Sequence, residues 1–126
     1  MADLKSSIRA AALTAIEQTG EGACRAFYRF SPDFIGFSGH FPGHPVLPAV
    51  VQIIIVLTMV EEVSGEPLRI QRLEKAKFQK EIFPDQRIEV RFRNKESKGK
   101  KLVEATLKVE EQQAATFLMS FDEKGC

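Results

Sequence analysis

Only two cysteines occur in the 126 residues, Cys24 and the terminal Cys126. That spacing fits neither a disulfide framework nor a zinc site and points to a reducing, cytoplasmic setting. Net charge is nearly absent too, with 18 basic against 17 acidic residues and a formal +1. No global field draws the chain to nucleic acid or membrane, and any electrostatic partner surface must be local. A membrane span is also missing. The longest stretch without charge, Phe41 to Val60, opens with Pro/Gly loop sequence, and its apolar remainder is too short to cross a bilayer. The N-terminus, MADLKSSIRAAALTAIEQ, has Asp3 near its start and no apolar block, so it does not read as a secretory signal. One soluble domain is expected, with 44% hydrophobic and 28% charged residues.

What is present is organised by two periodicities. Asp3 suits an N-cap, and Leu4, Ile8, Ala11, Ala12 and Ile16 recur at helical spacing. This predicts an amphipathic helix over 4–18, closed by Gly20 and Gly22. Residues 23–30, ACRAFYRF, alternate, with Cys24, Ala26, Tyr28 and Phe30 on one face, and predict a strand. A loop with Pro32, Gly36, Gly39, Pro42, Gly43, Pro45 and Pro48 follows.

Residues 49–63, AVVQIIIVLTMVEEV, are rich in β-branched side chains, which favour a strand. Length decides otherwise. Pro48 suits a helix start, Glu61 and Glu62 begin a polar end, and Ser64-Gly65 closes it, so a helix is predicted, buried nearly all round. Beyond Pro67 the period becomes two: Leu68 and Ile70; Ala76 and Phe78; Ile88, Val90 and Phe92; Val103 to Val109; Ala115 to Phe121. These predict about four antiparallel strands, with turns at Pro84-Asp85, 94–100 and 110–113. A long buried helix wrapped by a curved antiparallel sheet is the α+β arrangement called a hotdog.

The segment GHFPGHPVLPAVVQ, residues 39–52, sets two histidines and three prolines before that helix. It resembles the signature of the 3-hydroxyacyl-acyl carrier protein dehydratases, roughly H-F-P-G-x-P-V-x-P-G-V. KFQKEIFPDQRIEV, residues 77–90, resembles the same family's K-F-x-x-x-V-x-P-G-D-x-L, and KLVEATLKV and AATFLMSF resemble its last strands. The likeness covers roughly residues 23–122.

The resemblance implies that His40 removes the C2 proton of a 3-hydroxyacyl thioester, a task suited to a group titrating near neutrality. The prolines and glycines would fix its loop. It further implies that the Val46 carbonyl holds the other ring nitrogen of His40. The amide at Ala49, at the helix N-terminus, would polarise the thioester carbonyl. Phe41, Gly43, Gln52 and Ile54 would complete the substrate site. No metal or organic cofactor is implied, since the phosphopantetheine arm belongs to the carrier protein. A homodimer or higher assembly is expected, with the sheet continuous across the interface.

Three positions depart from the family pattern. Its catalytic acid, fourteen residues after the motif histidine, is here Ile54; its usual Gly after the last motif proline is Ala49; its frequent Gln is Thr58. Glu61, two turns beyond Ile54, lies about 10 Å further along the axis and is too far for the same proton. Three readings stay open: His40 acts as base and acid, helped by Gln52 or water; a different hotdog subunit supplies the carboxylate; or the pocket binds acyl chains or carrier protein without turnover. Some dehydratases of specialised acyl-chain pathways, such as aryl polyene assembly, resemble this sequence in having Gln near position 52. A thioesterase of the same fold would want a carboxylate on the helix, which Ile54 argues against.

His44 reads as structural or surface, because the family tolerates many residues there. Gln52 reads equally as an ordinary buried amide. RFRNKESKGKK, residues 91–101, with six basic residues and one acid, reads either as a dock for an acidic carrier protein or as a solvated hairpin.

Overall fold

The computed structural model describes residues 3–37, 43 and 45–122. His40, Phe41 and His44 lie outside the described residues, as does Cys126. A single antiparallel sheet of six strands runs β1 (Glu17–Gly20), β2 (Ala23–Arg29), β4 (Arg87–Ser97), β5 (Lys100–Val109), β6 (Gln112–Phe121) and β3 (Ile70–Phe78) in spatial order. Helix α2 (Ala49–Ser64) packs on one face, and a short α1 (Leu4–Ala10) packs against α2. This is the α+β hotdog fold.

The alternation in sequence is the alternation of burial. Ala26, Tyr28, Ile88, Val90, Phe92, Ala105, Leu107, Phe117 and Met119 face inward and join Ile55, Val56 and Met59 of α2 in one core. Each large side chain among them contributes roughly 1.5–3 kcal/mol by leaving water. The β4–β5 and β5–β6 connections are tighter than expected. Ser97 pairs with Lys100 and Val109 with Gln112, which leaves the two-residue turns Lys98-Gly99 and Glu110-Glu111. All four residues have positive φ, as the primed hairpin turns require. The expected 94–100 turn is therefore mostly strand.

The N-terminal region needs a correction. The helix expected over 4–18 stops at Ala10. Strand β2 has an open edge there, and the following backbone pairs with it instead of coiling on: Leu13 N–H donates to Phe27 O at 2.8 Å, and Arg29 N–H donates to Ala11 O at 3.1 Å. Residues 17–20 then form β1, an edge strand that the helical reading concealed.

At its other end the sheet finishes in β3, whose second edge has no strand beside it among the described residues. Leu73 and Phe78 of β3 are exposed, and so are Val50 and Val63 of α2. A bulge between Glu74 and Lys77, with Lys75 at φ 50°, bends this strand.

Candidate active site at the start of the central helix

Buried residues flank the motif on both sides. Upstream, Phe30, Phe34 and Phe37 pack in series, tilted and then edge to face, with ring centroids 4.4 and 5.7 Å apart, and a 3₁₀ turn (Ile35–Phe37) carries Phe37 into the core. Gly36 makes this possible, since a Cβ there would collide with the Phe34 ring. Downstream, Val46 and Leu47 are buried, and Leu47 N–H donates to Ile82 O at 2.8 Å, tying the motif to the β3–β4 connection. Asp85 N–H, from the same connection, donates to Phe30 O at 2.7 Å. Gly43 is exposed at φ 82°, a conformation that suits glycine.

Pro48 is the N-cap of α2 rather than its first helical residue; its φ of −63° is what the ring imposes, and its carbonyl accepts from Val51 N and Gln52 N. Ala49 is exposed and begins the helix, so its N–H precedes the first intrahelical bond and belongs to the positive end of the dipole.

Gln52 is buried, 4% exposed, one turn into α2. Its Nε2 donates to Leu47 O at 3.0 Å, while its Oε1 is buried with no hydrogen-bond partner. Ile54 is half-buried and does not share this face: two residues along a helix turn the side chain by about 200°. It lies instead in a stripe with Val50 and Ile53, the least buried side of the first two turns.

Glu61 is engaged by the fold. Its carboxylate accepts from Lys5 Nζ at 3.0 and 3.2 Å and from Leu68 N at 2.8 Å. Burial pushes the carboxyl up, but the Leu68 and Lys5 hydrogen bonds and the Lys5 and Arg9 charges outweigh it and hold its pKa below the ordinary value. Thr58, also buried, donates to Ile55 O at 2.7 Å and pairs with the Tyr28 hydroxyl. The Lys5–Glu61–Leu68 latch and the Tyr28–Thr58 pair escaped the sequence reading. Their one visible sign was polar residues late in an otherwise apolar helix.

The basic run at 91–101 is partly neutralised, because Glu104 takes Arg93 at 2.7 Å and Lys95 at 3.7 Å. On the sheet face away from α2, an open cleft of about 400 Å³ is lined by Phe27, Arg87, Lys108 and Glu110, with Arg87 stacked 4.2 Å over the Phe27 ring. No group of three His, Cys, Asp or Glu fit to hold a metal occurs among the described residues. No described helix is long and apolar enough to cross a membrane.

The comparisons agree with this architecture. Residues 16–118 match the family described as ApeI-like, ApeI dehydratase. A 3-hydroxyacyl-[acyl-carrier-protein] dehydratase FabZ of Geotalea uraniireducens is 30% identical over 97 residues, 64% of this chain and 67% of the relative. The FabZ of Syntrophobacter fumaroxidans is 28% identical over 71 residues, 50% of this chain and 48% of the relative, so the match spans about half the length of that protein. In structure, a chain of the dehydratase heterocomplex ApeI:P from Xenorhabdus doucetiae superposes with a TM-score of 0.73 at 22% identity, covering 89% of this chain and 96% of that one. The PaaI protein of E. coli superposes with a TM-score of 0.67 at 9% identity, over 95% of this chain and 89% of that one. With the family match covering most of its length, the chain belongs to the ApeI-like dehydratase family.

Proposed function

We propose that this protein is a hydro-lyase that eliminates water from 3-hydroxyacyl thioesters, carried on acyl carrier protein or coenzyme A, in fatty acid or related acyl-chain synthesis. The observation that carries the reading is the junction of the motif with α2. A motif of dehydratase type, flanked by buried Phe37 and containing buried Val46-Leu47, leads into a helix whose first residue is exposed and whose fourth is a buried glutamine. His40 is the base, with its ring held by the Val46 carbonyl. The Ala49 N–H, at the positive end of the helix, draws electron density onto the thioester carbonyl as the C2 proton leaves. Phe41 and Gly43 line the approach.

Ile54 leaves no carboxylate at the position of the family's acid, and Glu61 is committed to Lys5 and Leu68. His40 therefore carries the proton it takes from C2 to the departing hydroxyl, and the rate bears the loss of a separate acid, roughly 10²- to 10⁴-fold. The test is hydration of a trans-2-enoyl thioester, on carrier protein and on coenzyme A, by wild type and His40→Ala. Activity in wild type that is lost in the variant supports the reading; activity unchanged in His40→Ala refutes it.

A second reading is favoured by one feature. The open edge of β3 carries exposed Leu73 and Phe78, and α2 carries exposed Val50, apolar surface suited to another hotdog subunit. A homodimer would continue the sheet across that edge. A heterodimer would do the same and bring a carboxylate to the Ile54 side of α2, making activity depend on the partner. Copurification with a second hotdog chain, and activity only after mixing, distinguish the two.

A further inference from the structure

Among the described residues, Gln52 Oε1 stands as a buried side-chain acceptor with nothing to accept from. Native proteins rarely keep such an atom bare, because burial strips its water without a replacement. Its orientation is fixed. Leu47 O can only accept, so the amino end of the amide must face it and the carbonyl end must point away. We propose that Gln52 Oε1 accepts a hydrogen bond from the C3 hydroxyl of the bound 3-hydroxyacyl thioester, an inference that rests on the dehydratase reading above.

The chemistry of the substrate selects this partner. In the acyl portion of a 3-hydroxyacyl thioester the C3 hydroxyl is the sole donor; the thioester carbonyl can only accept and would be repelled by Oε1. That carbonyl instead suits the free N–H at Ala49, three residues earlier on nearly the same side of α2 and about 4.5 Å back along the axis. Donor and acceptor thus stand one turn apart, facing substrate oxygens that are themselves two carbons apart.

In the elimination the C2–H bond breaks and its electron pair forms the C2=C3 double bond. The C3–O bond breaks with its pair on oxygen, and that oxygen takes the proton removed from C2, leaving as water. Gln52 supplies no proton. By accepting the hydroxyl's own hydrogen it leaves an oxygen lone pair open to the incoming proton, and the same bond holds the water as it departs. A carboxylic acid at Ile54 is not needed for this role, only an acceptor that stays uncharged.

The experiment compares the binding of two unreactive pantetheine amides, one with a 3-hydroxyacyl chain and one with the deoxy chain of equal length. Wild type is expected to bind the hydroxylated analogue about tenfold or more tightly, the usual scale for satisfying a buried acceptor. Gln52→Leu is expected to lose that preference, binding the two analogues within about twofold of each other. Equal binding of both analogues by wild type overturns the inference and leaves Oε1 to a resident water. A preference that survives in Gln52→Leu overturns it also. Failure of both analogues to bind wild type overturns the dehydratase reading itself. Because the wild-type comparison decides alone, poor folding of the variant leaves the inference open to refutation.

Discussion

Tyr28 offers a direct measure of how the sheet and the central helix close on each other. It is the only tyrosine in a chain without tryptophan, so the tyrosinate absorbance of the whole protein reports on one side chain. The residue is 4% exposed, with its ring stacked on Phe30 at 6.1 Å and its hydroxyl paired with Thr58. Burial, then the Glu62 charge, push the phenol up to about 12, against partial relief from Arg9 and the Thr58 hydrogen bond. The folded chain therefore holds the proton more tightly than the unfolded chain, whose phenol titrates near 10. Stability from this group is fully present below about pH 10 and is lost as the pH rises towards 12, at roughly 1.4 kcal/mol per unit of pKa, or about 3 kcal/mol in all.

The assay is an alkaline titration followed by tyrosinate absorbance and circular dichroism together. In native protein the midpoint is expected near 12, or coincident with loss of the dichroism signal where the fold gives way first; in denaturant it returns to about 10. Urea melts across the same range should show a decline that is smaller by about 3 kcal/mol in Tyr28→Phe. Ionisation of native protein near pH 10 with its dichroism intact would refute the burial argument.

Other sites give independent checks. Glu61, with its pKa held below the ordinary 4.5, contributes stability above that pH and loses it in acid; Glu61→Ala should cost about 2–3 kcal/mol at neutral pH and flatten the acid limb of a thermal-melt series. Gly36→Ala should destabilise by about 1–3 kcal/mol in urea melts, because the new methyl meets a Phe34 ring that Phe30 and Phe37 hold in place. Glu110→Asn with Glu111→Gly should stabilise by about 1 kcal/mol, since both residues now sit at positive φ in a two-residue hairpin turn. Ile54→Glu sets a carboxyl on the side of α2 away from Gln52, so it should not raise enoyl hydration in initial-rate assays; a gain of up to about 10²-fold would place the departing hydroxyl on the Ile54 side instead.

The parts of this fold that were legible in the sequence are those where one periodicity acts alone. Cys24, Ala26, Tyr28 and Phe30 alternate because β2 has one face on the core, and burial follows the pattern. Helix α2 was legible despite its β-branched residues, because the sixteen residues between Pro48 and Gly65, mostly apolar, are too many for a strand of this sheet. Residues 11–20 failed for the opposite reason. Their apolar spacing is helical, but the free edge of β2 offers backbone hydrogen bonds that a continued α1 would forgo, and no local signal announces a distant strand edge.

The site divides in the same way. The motif marks where the chemistry belongs, and Ile54 could be flagged as a departure from one sequence. Whether Gln52 was core or site could not be read there, since a buried amide and a substrate contact have the same letter and the same helical phase. The distinction lies in the two ends of the amide: Nε2 is spent on Leu47 O and Oε1 is not. An ordinary structural glutamine in a dry core satisfies both ends or is replaced by leucine at little cost. One that ties down the motif loop with its donor and keeps its acceptor bare couples loop position to whatever supplies the missing hydrogen. Isoleucine at position 54 and glutamine at position 52 are then connected: where no side chain on α2 delivers a proton, orienting the hydroxyl that receives one matters more.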